Sequence, residues 1–174
     1  MGTDKARVTI NGEPLLTRVS KVAAVVGDVV VVGGTPSDDV TPIPDLRTGR
    51  LGPLAGLESA LAYAQGRDVI LLGVDQPFVR SETLLHLTEI AGDVVVPVHG
   101  GWEQVLCAVY REAFLPVTRT ALDAGKDLSI LSYLDQVNTT RVHPDEWAAW
   151  EEDGRSWYST DTPEALSEGI ERFG

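Results

Sequence analysis

The stretch Asp68–Pro77, DVILLGVDQP, decides the fold of this 174-residue chain. It begins with an unbroken apolar run, which predicts a strand buried on both faces, and such strands are typical of parallel sheets. Pro77 cannot donate to a strand ladder, so the strand must end before it. Asp75 is therefore expected at the carboxyl end of a central strand, the edge at which open α/β sheets bind ligands. A carboxylate there suits Mg²⁺, or it simply caps the turn formed with Pro77.

Further apolar runs on both sides extend this pattern to a layered α/β fold. Val29–Val32 predicts a second strand buried on both faces, and Asp93–Val98 a third, placed nearer an edge because it contains Pro97. Residues 104–111 follow a Gly-Gly turn and are expected to pair antiparallel with that third strand. Strands that alternate with helices indicate βαβ units in a mostly parallel sheet, so we predict one α/β domain over residues 1–174. The predicted helices are Pro14–Val26, Leu54–Ala64, Ser81–Ala91 with Ser81 as N-cap, Ala113–Ala124, Leu128–Leu134, and a last helix with Thr162 as N-cap and Pro163 at its first position.

Composition argues against several classes of protein. The net charge of −12 disfavours a nucleic-acid partner, whose phosphates need a basic face. No apolar run approaches the roughly 18 residues that span a bilayer, and the start lacks a secretory segment, so a cytoplasmic protein without a membrane partner is expected. The lone cysteine, Cys107, rules out an internal disulfide and is expected to be buried. Residues 145–174 carry nine acidic and two basic side chains, interpreted as a solvated face.

A second candidate site lies in the segment that begins at Asp45. Arg47 and Arg50 follow, and then Gly52, Pro53, Leu54, Ala55 and Gly56 lead into a helix. A helix N-terminus with glycines beside it is a natural anion site, because backbone N–H groups point outward and the ligand can approach closely. The alternative is a loop with two solvated arginines. The chain has neither a Walker A loop nor a GxGxxG motif.

The three histidines and the tryptophans near the acidic tail give weaker signals. His99 lies in the loop HGGWEQ near a strand end and is a candidate substrate contact, whereas His86 and His143 are expected to be structural or solvated. No Ser–His–Asp or Cys–His arrangement stands out. The tryptophans are expected to pack the acidic tail onto the domain; they are Trp147, Trp150 and Trp157.

Four short blocks, in matching order and spacing, resemble those of the molybdenum cofactor guanylyltransferases, a family of Rossmann-like nucleotidyltransferases. The resemblance spans nearly the whole chain and implies a three-layer fold whose mostly parallel central sheet contains an antiparallel strand. The blocks are MGTDKA at Met1–Ala6, GPLAGL at Gly52–Leu57, VDQPF at Val74–Phe78, and STDTPEAL at Ser159–Leu166.

This resemblance implies an enzyme that transfers GMP from GTP to the molybdopterin-type molybdenum cofactor and releases pyrophosphate. Lys5 would then contact the nucleotide phosphates and Asp75 would hold Mg²⁺. Asp45 and the Gly52–Gly56 segment would bind the nucleotide. His99, Gly100 and Gln104 are expected on the substrate side. Molybdoenzymes or other cofactor-synthesis proteins are possible partners. A CTP-dependent relative and a truncated, non-catalytic binding protein remain alternatives.

The chain departs from the family pattern in three places. Gly33-Gly34 stands where the family often has Asn, and Gln104-Val105-Leu106 stands where it has Q-P-L. The Gly-rich loop L-A-G-G-x-S-x-R and the strand before it do not appear. In this fold that strand is central, so the sheet is expected to lack its first strand and Met1 to be an internal methionine. Each buried backbone group left unpaired would cost about 1–3 kcal/mol.

Overall fold

Strands and helices alternate along the chain. The structure, a computed structural model, describes residues 5–33, 40–49 and 51–174. The strands are β1 (Thr9–Ile10), β2 (Glu13–Pro14), β3 (Val30–Val32), β4 (Thr41–Ile43), β5 (Val69–Leu72), β6 (Val94–His99), β7 (Trp102–Glu103), β8 (Cys107–Tyr110) and β9 (Thr139–Val142). The α-helices are α1 (Leu15–Ala23), α2 (Pro53–Ala64), α3 (Ser81–Glu89), α4 (Leu115–Ala124), α5 (Pro144–Trp147) and α6 (Pro163–Phe173). Short 3₁₀ helices cover Lys5–Arg7, Glu112–Phe114, Ile130–Gln136, Ala148–Trp150 and Arg155–Trp157.

The main sheet has five strands, three of which run in the same direction. β8 lies between β5 and β6 and is antiparallel to both, while β9 pairs parallel with β6. β7 closes a hairpin on the carboxyl end of β6. The carboxyl ends of β5, β6 and β9 therefore meet at one edge of the sheet, which confirms a mostly parallel arrangement with an antiparallel strand.

The expectation that Pro97 places its strand near an edge is wrong. β6 is a central strand with β8 on one side and β9 on the other. Pairing with β8 involves only Val94 and Val95, so Pro97 does not interrupt that ladder. The Pro97 carbonyl still accepts a hydrogen bond from the N–H of Gln104, 2.8 Å away.

Helices cover both faces of this sheet, giving three layers. Because side chains alternate along a strand, Val94 and Val96 of β6 face one apolar cluster and Val95 faces the other. The first cluster contains α2 and α4, and the second contains α1, α3, Trp147 and Trp157. The expected packing of the acidic tail by its tryptophans is thus confirmed for these two residues.

Helix boundaries follow the sequence closely where local signals are strong. The hydroxyl of Thr162 accepts a hydrogen bond from the Ala165 N–H at 3.1 Å, and Pro163 opens α6, as predicted. Ser81 is the first residue of α3 rather than its N-cap, which is Arg80. Ser156 accepts the Arg80 N–H from outside the helix, so a partner distant in sequence replaces the local cap. The helix expected at Leu128–Leu134 is the 3₁₀ stretch Ile130–Gln136.

β3 and β4 form a separate pair of parallel strands beside the main sheet. β3 was predicted to be buried on both faces, and β5 likewise, but all residues of both strands are only half-buried. This prediction is wrong because both strands line a cavity that lies between them.

Candidate functional site

A cavity of about 920 Å³ lies between β3 and β5, and its lining reaches the carboxyl ends of both strands, an end that we call the mouth. Leu54 and Ala55, at the start of α2, are instead buried in the core, so their side chains are structural. The remaining predicted nucleotide-site residues all line the cavity; they are Lys5, Asp45, Gly52, Pro53, Gly56 and Asp75. Met1–Asp4, the first part of the MGTDKA block, lie outside the described residues.

Asp75 lies just beyond the carboxyl end of β5, as predicted, and a neighbouring segment holds it in place. Its carboxylate accepts a hydrogen bond from the Ser159 hydroxyl at 2.8 Å. Its carbonyl accepts hydrogen bonds from the N–H and the hydroxyl of Thr160, at 2.8 and 3.1 Å. A Cβ at Gly73 would lie 2.4 Å from the Asp75 carboxylate, so a side chain there would displace it. Asp75 is thus fixed by its surroundings rather than by a local turn alone.

Lys5 and Asp161 form an ion pair beside Asp75. The Lys5 ammonium donates a hydrogen bond to the Asp161 carboxylate. This bond raises the pKa of Lys5, with Asp75 adding a smaller electrostatic contribution. The same bond lowers the pKa of Asp161, which lies within hydrogen-bonding reach of Asp75 and Ser159. One cation and two carboxylates therefore share the mouth of the cavity.

Asp45 and the start of α2 form the opposite wall of the mouth. The Asp45 carboxylate lies 3.2 Å from the position that a Cβ on Gly33 would take, so the end of β3 and the end of β4 approach closely there. Gly52 has φ = 74°, a backbone conformation that favours glycine, and Pro53 occupies the first turn of α2. This geometry brings backbone, without a covering side chain, to the cavity.

Arg47 does not contribute a free positive charge to this wall. Its guanidinium makes two hydrogen bonds of 2.8 Å to the buried Glu58 and one of 2.6 Å to Asp123. These bonds raise its pKa and join the loop to α2 and α4. The other arginine of this segment, Arg50, lies outside the described residues.

The predicted substrate residues lie elsewhere on the same edge of the sheet. His99 is the last residue of β6, Gly100 is in the turn that follows, and the Gln104 amide donates to the Trp102 carbonyl at 2.9 Å. None of the three lines the cavity. β8 separates β5 from β6, so two strand spacings, about 10 Å, separate their carboxyl ends laterally.

Residues 154–161 run across the edge of the sheet and connect His99, at the end of β6, with Asp75, just beyond the end of β5. At one end, the His99 ring lies over Gly154, where an added Cβ would be 2.8 Å from the ring. At the other end, Ser159 and Thr160 bind Asp75.

A buried carboxylate anchors the start of this segment. Glu152 is 4% exposed and accepts hydrogen bonds from the hydroxyls of Thr83 and Ser156, both at 2.5 Å, and from the Gly154 N–H at 2.8 Å. The interpretation of the acidic tail as a solvated face is therefore wrong for Glu152. Sequence reasoning missed this residue because nothing local distinguishes it from its exposed acidic neighbours. It also left Ser159, Thr160 and Asp161 without roles, although the STDTPEAL block contains them.

The donor set at the mouth fits a magnesium ion. Among the described residues no group of three or more His, Cys, Asp or Glu side chains is placed to hold a metal by itself. Mg²⁺, however, usually binds one or two carboxylates and completes its shell with water and substrate phosphates. Asp75 and the adjacent Asp161 meet that requirement.

Two further findings concern a possible thiol nucleophile and membrane-spanning helices. Cys107 is fully buried in β8, and burial raises the pKa of its thiol, so it is not a reactive nucleophile. In the part of the chain that the structure describes, no helix is both long and apolar enough to cross a membrane.

Solved structures show that the fold is that of nucleotidyltransferases. Molybdopterin-guanine dinucleotide biosynthesis protein A from Archaeoglobus fulgidus superimposes with a TM-score of 0.84 at 24% identity, over 98% of this chain and 91% of that one. The 2-C-methyl-D-erythritol 4-phosphate cytidylyltransferase from Thermus thermophilus gives 0.70 at 17% identity, over 98% and 94%.

Similar sequences point to the same group of proteins. A protein described as a probable molybdenum cofactor guanylyltransferase from Pelotomaculum thermopropionicum is 28% identical over 95% of this chain and 83% of its own length. One with the same description from Synechococcus elongatus is 32% identical over 72% and 73%, respectively. The model of the MobA-like NTP transferase domain matches residues 1–138, and the chain belongs to this family of nucleotidyltransferases.

Proposed function

We propose that this protein transfers GMP from GTP to a molybdopterin-type molybdenum cofactor and releases pyrophosphate. The observation that carries the proposal is the grouping of Lys5, Asp161 and Asp75 at the mouth of the cavity, facing the glycine-containing start of α2. A cation, two carboxylates and accessible backbone are what a triphosphate with its metal requires. The guanine nucleotide and the molybdenum cofactor in this proposal come from the descriptions of the related proteins.

The reaction needs charge neutralisation and alignment more than it needs a base. The phosphate oxygen of the acceptor attacks the α-phosphorus of GTP, a new P–O bond forms, and the α–β phosphoanhydride breaks to release pyrophosphate. The attacking phosphate is already anionic, so no residue has to remove a proton. The ammonium of Lys5 contacts the nucleotide phosphates and offsets negative charge in a chain of net charge −12. To do so, Lys5 must give up its hydrogen bond to Asp161 and donate one to a phosphate oxygen instead.

In this proposal Asp75 holds Mg²⁺, and Asp161 lies close enough to assist. Bound there, the ion would neutralise phosphate charge and polarise the phosphoryl oxygens. The Ser159 hydroxyl keeps the Asp75 carboxylate oriented, and the two bonds from Thr160 fix its backbone. Asp45 and the Gly52–Gly56 segment bind the nucleotide on the opposite wall.

We propose that the acceptor binds along the same edge of the sheet, towards the β6–β7 hairpin. His99, Gly100 and Gln104 lie there, and residues 154–161 run from His99 to Asp75. An acceptor that extends from the hairpin to the cavity mouth would have its phosphate beside the nucleotide. Molybdoenzymes or other cofactor-synthesis proteins are proposed recipients of the product.

A CTP-dependent reaction is the second candidate. The observation that favours it is the overlap with a cytidylyltransferase over almost the whole chain, although at 17% identity this is a likeness of fold. Competition between GTP and CTP for the same preparation separates the two, since a site for one base should prefer its nucleotide at least tenfold.

Calorimetric titration with GTP, with and without Mg²⁺, tests the proposal. We expect binding that needs Mg²⁺ and is lost in Asp75→Asn but kept in Asp68→Asn. Asp68 makes a good control because it precedes the same strand at the opposite end of the cavity. Equal losses in both variants, or no binding by the unaltered chain at millimolar GTP, would overturn the proposed site. The second result would favour a non-catalytic relative.

A further inference from the structure

A second pocket, of about 290 Å³, lies on the other side of α1 from the large cavity. Arg18 and Val22 of α1 line this pocket, whereas Leu16 and Ser20 line the cavity. Residues two positions apart point to nearly opposite sides of a helix, since successive residues are about 100° apart around its axis. No residue lines both spaces, so α1 separates the pocket from the proposed nucleotide site.

The pocket is basic although the chain is acidic. Its lining contains four basic side chains and one acidic one, in a protein of net charge −12. They are Arg18, Lys21, Arg80 and Arg155, and the acidic one is Glu13. A cleft lined by one sign of charge attracts ligands of the opposite sign, so the pocket favours an anion.

Two of the four cations are already paired with carboxylates. The Lys21 ammonium donates a hydrogen bond to Glu13 at 2.6 Å. The Arg155 guanidinium donates two hydrogen bonds to Asp153, at 2.9 and 2.8 Å. The attraction of the pocket for an anion must therefore come mainly from the other two cations.

Arg18 and Arg80 are held in place by backbone oxygens instead. Arg18 donates from Nε to the Pro77 carbonyl at 2.8 Å, and Arg80 donates to the Glu151 carbonyl at 2.6 Å. A carboxylate oxygen lies 3.9 Å from Arg18 and another lies 3.6 Å from Arg80, both too far for a hydrogen bond. Among residues 5–33, 40–49 and 51–174, neither guanidinium makes a further hydrogen bond, so each keeps N–H donors for a ligand.

One short loop brings these two guanidinium groups together. Arg18 binds the carbonyl of Pro77, and Arg80 follows only three residues later. The Val79 N–H donates to the Gln76 carbonyl at 3.3 Å, which keeps this loop compact. Both arginines are only about 30% exposed, and the planar guanidinium matches carboxylate and phosphate oxygens well.

The rest of the lining is apolar. It consists of Val22, Pro77, Phe78, Val79 and Phe173. Apolar walls with a few fixed polar groups are typical of small-molecule sites, which begin at about 300 Å³. The size of the pocket therefore suits a small ligand.

We propose that this pocket is a second ligand site, for a small organic anion. A carboxylate or phosphate head group binds Arg18 and Arg80, and the apolar body of the ligand packs against Val22 and Phe173. This site is separate from the nucleotide site, and the inference does not rest on the proposed transfer reaction.

The pocket is built on the two segments that position Asp75. Its loop, Pro77–Arg80, begins two residues after Asp75. Its other wall contains Arg155, which belongs to residues 154–161, and the Ser159 hydroxyl of that segment binds the Asp75 carboxylate. A ligand in the pocket would thus contact both segments without entering the cavity.

NMR titration of the ¹⁵N-labelled protein tests the proposal with three probes. Benzoate and phenyl phosphate each carry an anionic head on an aromatic ring, and benzamide is the neutral counterpart of benzoate. We expect saturable shifts of the Phe78, Val79 and Arg80 amides, with a Kd for either anion at least tenfold below that for benzamide, because hydrogen bonds to charged groups are the stronger ones. The anion with the lower Kd identifies the preferred head group.

Variants of single arginines locate the binding. Arg18→Gln and Arg80→Gln should each raise the Kd for benzoate about tenfold. The matched control is Arg119→Gln, an exposed arginine on α4 across the sheet, which should leave the Kd unchanged. The comparison of benzoate with benzamide uses the unaltered protein, so it decides the question even if a variant does not fold.

Three results would overturn the proposal. One is equal binding of benzoate and benzamide, which would make the pocket merely apolar. Another is a set of shifts centred on Lys5 and Gly52–Gly56, which would place the anion in the large cavity. The third is a dimer in sedimentation that Arg18→Gln or Arg80→Gln dissociates, because acidic side chains of a second copy would then occupy the pocket.

Discussion

The ammonium of Lys5 donates a hydrogen bond to the carboxylate of Asp161, which joins the start of the described chain to the residue just before the N-cap of α6. Lys5 and Asp75 line the mouth of the cavity, and Asp161 lies beside both of them. The cation proposed for phosphate binding is thus paired with a neighbouring carboxylate. Under the proposed function, a triphosphate would have to compete with this carboxylate for the Lys5 ammonium.

Replacing Lys5 should weaken nucleotide binding. A hydrogen bond to a charged group contributes about 1.5–3 kcal/mol, so Lys5→Met should raise the Kd for GTP–Mg²⁺ roughly 10–100-fold. Calorimetry measures the change, and Lys126→Met, an exposed lysine beyond α4, is the control and should leave Kd unchanged. Equal Kd values for the two variants would remove Lys5 from the nucleotide site.

The titration of Asp161 should depend on Lys5. The hydrogen bond from Lys5 lowers the pKa of Asp161 in the folded chain below its usual 3.8. A lowered folded pKa means that the pair stabilises the fold above the unfolded pKa and that this contribution disappears as pH falls through the folded pKa. Carboxyl-carbon NMR should therefore show the Asp161 pKa rising in Lys5→Met, while the pKa of Asp153, held at about 2 chiefly by its hydrogen bond from Arg155, stays constant. An unchanged Asp161 pKa would contradict the ion pair.

Glu152 should matter for stability far more than its acidic neighbour. Glu152→Ala leaves the buried hydroxyls of Thr83 and Ser156 without their charged acceptor, and we expect a loss of about 2–3 kcal/mol in the free energy of unfolding. Asp153→Ala removes only a partly exposed ion pair with Arg155 and should cost below about 1 kcal/mol. Urea unfolding measures both. Similar losses would show that the Glu152 bonds do not anchor residues 154–161.

Sequence predicted the features that depend on neighbouring residues. The end of β5 before Asp75 follows from an apolar run and a proline, and the start of α6 follows from Thr162 and Pro163. The antiparallel β8 was also predicted, because a short turn joins it to the preceding hairpin.

Features set by distant contacts were not predictable in the same way. Arg47 pairs with Glu58 and Asp123 only because α2 and α4 pack together. The central place of β6 depends on β9, some 45 residues along the chain. The half-burial of β3 depends on the cavity that separates it from β5, a strand far along the chain. Each of these requires knowledge of non-local packing that no single stretch of sequence carries.

Gly154 should be intolerant of a side chain for two separable reasons. Its φ of 93° is a conformation that L-residues rarely adopt, and a Cβ would lie 2.8 Å from the His99 ring. We expect Gly154→Ala to destabilise the protein by about 2–3 kcal/mol, of which roughly 1–2 comes from the backbone conformation and the rest from the contact with the ring.

The steric and backbone contributions can be separated by making Gly154→Ala in a His99→Ala variant as well. Removing the imidazole ring removes the contact with the new Cβ but leaves the unfavourable backbone conformation in place. Gly154→Ala should then cost less than in the unaltered chain, by about 1 kcal/mol, and the difference is the steric coupling between the two residues. Urea unfolding of the four proteins gives this cycle. Strictly additive losses would mean that the ring does not rest on Gly154, and residues 154–161 would then lose their proposed link to the β6–β7 hairpin.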